Sequence, residues 1–129
     1  MSFMEVTVHY NRLMIAPRKI RAILHRVRGR RLVDALAEVT VSPRATAEPV
    51  KKLLLASVSA VRDRRADARP EDLIVKEVFC NEAARLSRTM IRGRGRSSRI
   101  NKSGSHLTMT VLDAGKKTTK PAATKQKEA

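Results

Sequence analysis

The sequence predicts an α+β fold: three helices packed on a small three-stranded antiparallel sheet, with a long extended β-hairpin arm. Three observations carry this. Alternating apolar and polar residues mark strands near 3–9, 73–80 and 106–111. Three stretches of helical periodicity lie between the first strand and the second. Between the second and third strands runs a segment, 82–106, with too few apolar residues to bury a face.

In the first strand Met4, Val6 and Val8 alternate with Glu5, Thr7 and His9. Pro17 then suits the first turn of a helix, since its missing N–H is not needed there. From it Ile20, Ile23, Leu24 and Val27 follow the i, i+3, i+4, i+7 spacing of one buried stripe, and Gly29 is placed to end the helix. Leu32, Leu36 and Val39, with Val33 and Ala35, mark a short second helix. Ser42–Pro43 has the form of an N-cap with proline at the first helical position, opening a third. Its core face is Ala47, Val50, Leu54, Val58 and Val61, widened by Leu53 and Ala56. Pro49 conflicts with that start, so the helix either kinks near Ala45–Pro49 or begins later than Pro43. A charged loop spans Arg62–Pro70, and Pro70–Glu71–Asp72 turns into the next strand. There Leu73, Val75, Glu77 and Phe79 alternate with Ile74, Lys76, Val78 and Cys80. The last strand sets Leu107, Met109 and Val111 against His106, Thr108 and Thr110. These two strands flank the arm, so they are expected to pair antiparallel as its base.

The arm holds Arg85, Arg88, Arg92, Arg94, Arg96, Arg99 and Lys102, with no acid between Glu82 and Asp113. Its apolar residues are few: Leu86, Met90, Ile91 and Ile100. Gly93 and Gly95 place the turn at Arg92–Arg96. Limbs of about a dozen residues at ~3.3 Å each would put the tip ~35–40 Å from the base. Such a limb takes a fixed shape when a dense polyanion neutralises it.

The formal net charge is +16, from 28 Lys+Arg against 12 Asp+Glu. Residues 1–31 carry +7, residues 32–82 −1, residues 83–112 +7 and residues 113–129 +3. Basic charge concentrated at both ends and in the arm, around a neutral middle, is the footprint of an anionic partner. Residues 1–113 are expected to form a single domain including the arm, and 114–129 a basic, flexible tail. One cysteine, Cys80, allows no internal disulfide and suits a reducing compartment. No signal peptide or membrane-length apolar run is evident, so a cytoplasmic location without a membrane partner is expected. Phe3, Tyr10 and Phe79 are the only aromatics, too few for a base-stacking platform, so recognition should rest on phosphate, sugar and shape.

Other readings compete. Arg92–Arg96 contains a G-x-G, but a dinucleotide turn needs a strand before and a helix after; a disordered arginine–glycine tract is a further alternative. The basic face of the first helix could be mere solvated surface, although no acid lies between Glu5 and Asp34 to pair with it. His9, His25 and His106 lack metal-ligand spacing, so no metal or other cofactor is expected. A Cys80–His106 pair would need an oxyanion site and an orienting acid, neither of which is recognisable. Asp63, Asp67, Glu71 and Asp72 sit among arginines as surface charge.

Two stretches resemble a known family. Ala16-Pro17-Arg18-Lys19-Ile20-Arg21, then Ile23-Leu24 and Val27-Arg28-Gly29, is similar to the opening helix of bacterial large-subunit ribosomal protein twenty-two. Arg92-Gly93-x-Gly95-Arg96, followed after nine residues by His106-Leu107-Thr108-Met109-Thr110-Val111, resembles that family's signature. The likeness covers about residues 5–113. Departures are Ile91 where proline is common, Ser87 where a basic residue is frequent, Ala60 for asparagine, and Pro49. The resemblance implies a structural, non-enzymatic protein of the large ribosomal subunit that binds large-subunit ribosomal RNA and aids assembly. Arg12, Arg18, Lys19, Arg21, Arg28, Arg30, Arg31, Arg85, Arg88, Arg99 and Lys102 are the expected RNA contacts. The hairpin tip, Met90, Ile91, Arg92, Gly93, Arg94, Gly95 and Arg96, would reach the wall of the nascent-peptide exit tunnel. Neighbouring large-subunit proteins and the passing nascent peptide would be further partners, with no homo-oligomer.

Overall fold

The computed structural model describes residues 4–114. The expected tail, 114–129, lies outside the described residues except for Ala114. In chain order the elements are β1 (Met4–Leu13), α1 (Pro17–Val27), α2 (Leu32–Val41), α3 (Ala47–Arg64), a 3-10 turn (Pro70–Asp72), β2 (Leu73–Glu82), β3 (Leu86–Ile91), β4 (Ser97–Lys102) and β5 (Ser105–Asp113). They form the α+β arrangement the alternation and periodicity predict.

β5 is the centre of the three-stranded sheet, whose order is β1-β5-β2, and both its neighbours run antiparallel to it. Ser105, Leu107, Met109, Val111 and Asp113 are buried on one side of β5. Three helices cover that side: α1 rests on β2, α3 on β1 and β5, and α2 bridges the other two helices. Ile20, Ile23, Leu24 and Val27 of α1 all enter the core, as their spacing requires. Asp113 is buried with its carboxylate 2.8 Å from the Arg65 guanidinium, which supplies the partner a buried charge needs.

The structure settles the open start of α3 in favour of one later than Pro43, and corrects the sequence reading in three further places. Ser42 caps the end of α2, and α3 starts at Ala47 behind Thr46. Pro49 then lies in the first turn of α3, where the amide it lacks would have no partner within the helix. The stripe of α3 runs through Ser57 and leaves Ala56 exposed; the Ser57 hydroxyl donates to the Leu54 carbonyl at 2.6 Å. The charged loop is shorter than expected, because Arg62–Arg64 continue the helix. In β2 the register against β5 slips between Val75 and Glu77. That bulge changes the buried set from Leu73 and Val75 to Val78 and Cys80, leaving Glu77 and Phe79 outside. It also frees Lys76 to pair with Glu5 of β1 at 2.6 Å.

Met109 is fully buried at the middle of the central strand. Met109→Ala should lower unfolding free energy by about 2–5 kcal/mol, read from urea midpoints at unchanged m-value.

Candidate nucleic-acid interface

β2 lies at an edge of the sheet, and α1 with the segment after it covers that edge. The Gly29 amide donates to the Val75 carbonyl at 3.0 Å, and the Val75 amide donates to the Arg30 carbonyl at 2.9 Å. Beyond the bulge, side chains take over. The Arg28 guanidinium donates to the Val78 carbonyl at 2.7 Å, and Arg21 donates two hydrogen bonds to the Cys80 carbonyl at 2.9 and 3.2 Å. Two of the arginines assigned to RNA therefore hold the helix to the sheet and satisfy edge acceptors. Arg30 pairs with Glu38 of α2 at 3.0 Å, and Arg31 forms an isolated antiparallel bridge with Ile74. Arg18 and Lys19, one turn earlier on α1, are exposed and make no ion pair or hydrogen bond through their charged groups among the described residues.

β3 and β4 form a separate two-stranded antiparallel ladder from Leu86↔Lys102 to Ile91↔Ser97. Glu82 and Ser105, near the ends of the sequence-defined arm, still pair within the main sheet. Every residue from Arg85 to Lys102 is exposed except Ser98. Opposite residues share a face, so the register gives the ladder two unlike sides. One carries Leu86, Arg88, Met90, Ser98, Ile100 and Lys102; the other carries Ser87, Thr89, Ile91, Ser97, Arg99 and Asn101. Arg85 pairs with Glu82 at 3.1 Å at the root. Arg88, Arg94, Arg96, Arg99 and Lys102 have charged groups with no ion pair or hydrogen bond among the described residues.

At the tip the Arg92 amide donates to the Arg96 carbonyl at 2.7 Å, and the Arg96 amide reaches the Gly93 carbonyl at 3.4 Å. Arg94 and Gly95 have φ of 59° and 68°, the pair of positive values that a type I′ hairpin turn demands. Glycine takes that conformation freely; arginine does so at a cost of about 1–2 kcal/mol. An arginine held in that state at the apex of an exposed arm points to a role outside the chain.

The arm's root is tightly packed. The Ala83 amide donates to the Gly104 carbonyl at 3.0 Å. A Cβ on Gly104 would come within 3.2 Å of both Ala83 Cβ and the Leu13 carbonyl, so only glycine fits there without displacement. Nearby, β1 bulges between Tyr10 and Leu13. Arg12, the other non-glycine residue with positive φ among the described residues (58°), sits in this bulge, and its amide donates to His106 Nδ1 at 3.1 Å. The bulge turns Arg12 outward at the foot of the arm, where its side chain is exposed.

The hydrolase alternative does not survive this geometry. Cys80 is buried, whereas His106 neighbours two inward-facing residues of β5, Ser105 and Leu107, and so lies on the opposite side of the sheet. Burial pushes the Cys80 thiol up from its ordinary pKa, with the Ser105 hydroxyl and Arg21 acting more weakly the other way. No group of metal-ligating side chains forms among the described residues, and no described helix is long and apolar enough to cross a membrane. What the site offers is a row of guanidinium and ammonium groups, unpaired among the described residues, on a two-stranded ladder separate from the main sheet. The sequence reading missed Arg44, which the turn before α3 sets along the same groove as Lys19; a lone arginine after Ser42–Pro43 gives no local signal of that.

Two outcomes follow for the residues divided in this way. Arg28→Ala should lower stability by about 1 kcal/mol, whereas Arg99→Ala should leave it within about 0.5 kcal/mol, both read by urea unfolding. The raised Cys80 thiol binds its proton more firmly folded than unfolded. Its contribution is therefore complete below the ordinary thiol pKa and is lost as pH rises from there through the raised value of the folded state. Iodoacetamide at pH 8 should label Cys80 far more slowly in native protein than in urea; equal rates would contradict the buried placement.

Comparison with known proteins agrees with this arrangement. The sequence profile of the family Ribosomal protein L22p/L17e matches residues 8–112. Large ribosomal subunit protein uL22 of Macrococcus caseolyticus is 36% identical over 120 residues, covering 93% of this chain and 96% of that protein. The protein of the same name from Staphylococcus aureus strain JH9 is 35% identical over 119 residues, covering 92% of this chain and 100% of that protein. With its three helices, its basic hairpin and most of its central sheet inside the matched span, the chain belongs to the L22p/L17e family of ribosomal proteins.

Proposed function

We propose that this chain is a structural constituent of the large ribosomal subunit that binds large-subunit ribosomal RNA, aids assembly, and sets its hairpin tip at the wall of the nascent-peptide exit tunnel. It carries no catalysis of its own. The observation that bears most of the weight is the arm. An arm with seven basic residues from Arg85 to Lys102, and no acid, stands free of the chain's own core.

Phosphates closely spaced along folded RNA are the natural complement of such a rod. Arg12, Arg18, Lys19, Arg88, Arg99 and Lys102 act as phosphate contacts in this reading, since their charged groups face solvent. Arg21 and Arg28 contribute mainly by fixing α1 so that Arg18 and Lys19 are presented together. Arg30, Arg31 and Arg85 sit at the margins of the two basic surfaces, in part engaged by the chain itself. The tip from Met90 to Arg96 is the portion that reaches the tunnel and meets the nascent peptide, and neighbouring subunit proteins complete its surroundings.

The test is salt-dependent binding to large-subunit ribosomal RNA fragments by the whole chain and by a variant lacking Arg88–Arg96. The deletion should keep a cooperative melt, because the core lies in the sheet and helices. Its slope of log K against log salt should fall by about 0.7–0.9 per lost phosphate contact. An unchanged slope would remove the arm from the interface. Equal affinity for duplex DNA in matched salt would instead favour a free-standing architectural protein.

A further inference from the structure

We infer that the groove between Met14, the first turns of α1 and the turn before α3 receives a single unstacked RNA nucleotide. This rests on the ribosomal-RNA reading above and adds a site to it. The groove is an open depression of about 520 Å³. Met14, Ile15 and Ala22 give it an apolar lining, and Met14 is 67% exposed. Lys19 and Arg44 also line it, and neither makes an ion pair or hydrogen bond through its charged group among the described residues. Thr46 completes it: as the residue before α3 it makes no side-chain cap, so its hydroxyl is available.

Each part of a nucleotide has a counterpart here. The faces of a base are apolar and would lie on the methionine and aliphatic side chains. The phosphates on either side of the nucleotide carry the charge that Lys19 and Arg44 lack among the described residues. The base edge or the ribose 2′-hydroxyl would meet Thr46, which can donate or accept. A paired base cannot enter, since its faces are covered by its stacked neighbours; the occupant comes from a loop or bulge, where RNA displays bases singly. An acidic peptide would satisfy the two cations but leave the apolar lining between them without a matching group.

The experiment probes base reactivity in large-subunit ribosomal RNA bound to the full chain, with binding isotherms across salt. The variants are Met14→Asp, Arg44→Ala and Thr46→Val, each checked for an unchanged melt. Wild-type protein should shield one unpaired base that is reactive in free RNA. Met14→Asp and Thr46→Val should restore its reactivity while the arm's footprint stays. Arg44→Ala should reduce the salt slope by about 1. A footprint and a salt slope identical for wild type and all three variants, with wild type still bound, would overturn the groove alone. So would photocrosslinks from position 14 to an acidic segment of a neighbouring subunit protein with no change in RNA reactivity. Failure of wild type to bind the RNA at all would overturn both readings.

Discussion

The fold depends on β5 being paired along both edges. β5 joins Met4 at the beginning of the described chain to Leu73 at the start of β2, through a shared partner at Asp113. The same strand closes the other end of the sheet, where Glu82 pairs with Ser105 immediately before the arm. Closing the excursion between β2 and β5 requires an entropic cost that grows only slowly with its length, so a long polar loop is tolerable once the two strands are joined. The buried alternation of β5, with Met109 at its middle, anchors that joint. The arm therefore inherits a rigid base without adding anything to the core itself.

Arginine serves two physical roles in this chain, and structure separates them. Arg21, Arg28 and Arg65 direct their guanidinium groups to Cys80, Val78 and Asp113 of the same molecule. Planar guanidinium with several donors suits this work, because it can reach backbone carbonyls at an edge while its stem packs on the surface. Arg88, Arg94, Arg96 and Arg99 have no such use among the described residues. Net charge alone cannot distinguish the two groups, and a chain with the same composition could have placed every arginine in either.

Two bulges do much of the positioning. The slip in β2 after Val75 shifts which carbonyls face the free edge, and so determines which residues of α1 can reach them. The bulge in β1 puts Arg12 at positive φ beside the root of the arm, against His106. Both devices re-aim side chains without changing the overall sheet order, which is a common use of an extra residue in an antiparallel pair. The tight fit of Gly104 against Ala83 and Leu13 keeps the arm's departure fixed at the same place.

What the sequence by itself determined was the order of elements, the helical stripe of α1, the antiparallel base of the arm and the position of its turn. These follow from short-range periodicity and from a run of charge that no core can bury, both visible without coordinates. Tertiary structure decided the rest. The start of α3 at Ala47 depended on Pro49 occupying a first turn, and the buried face of β2 depended on Lys76 lying outside the ladder register, which alternation does not reveal. It also decided which basic residues are engaged internally, and that Lys19 and Arg44 share a groove. Those facts arise from contacts between residues far apart in the chain, and such distances are set by packing rather than by spacing along the sequence.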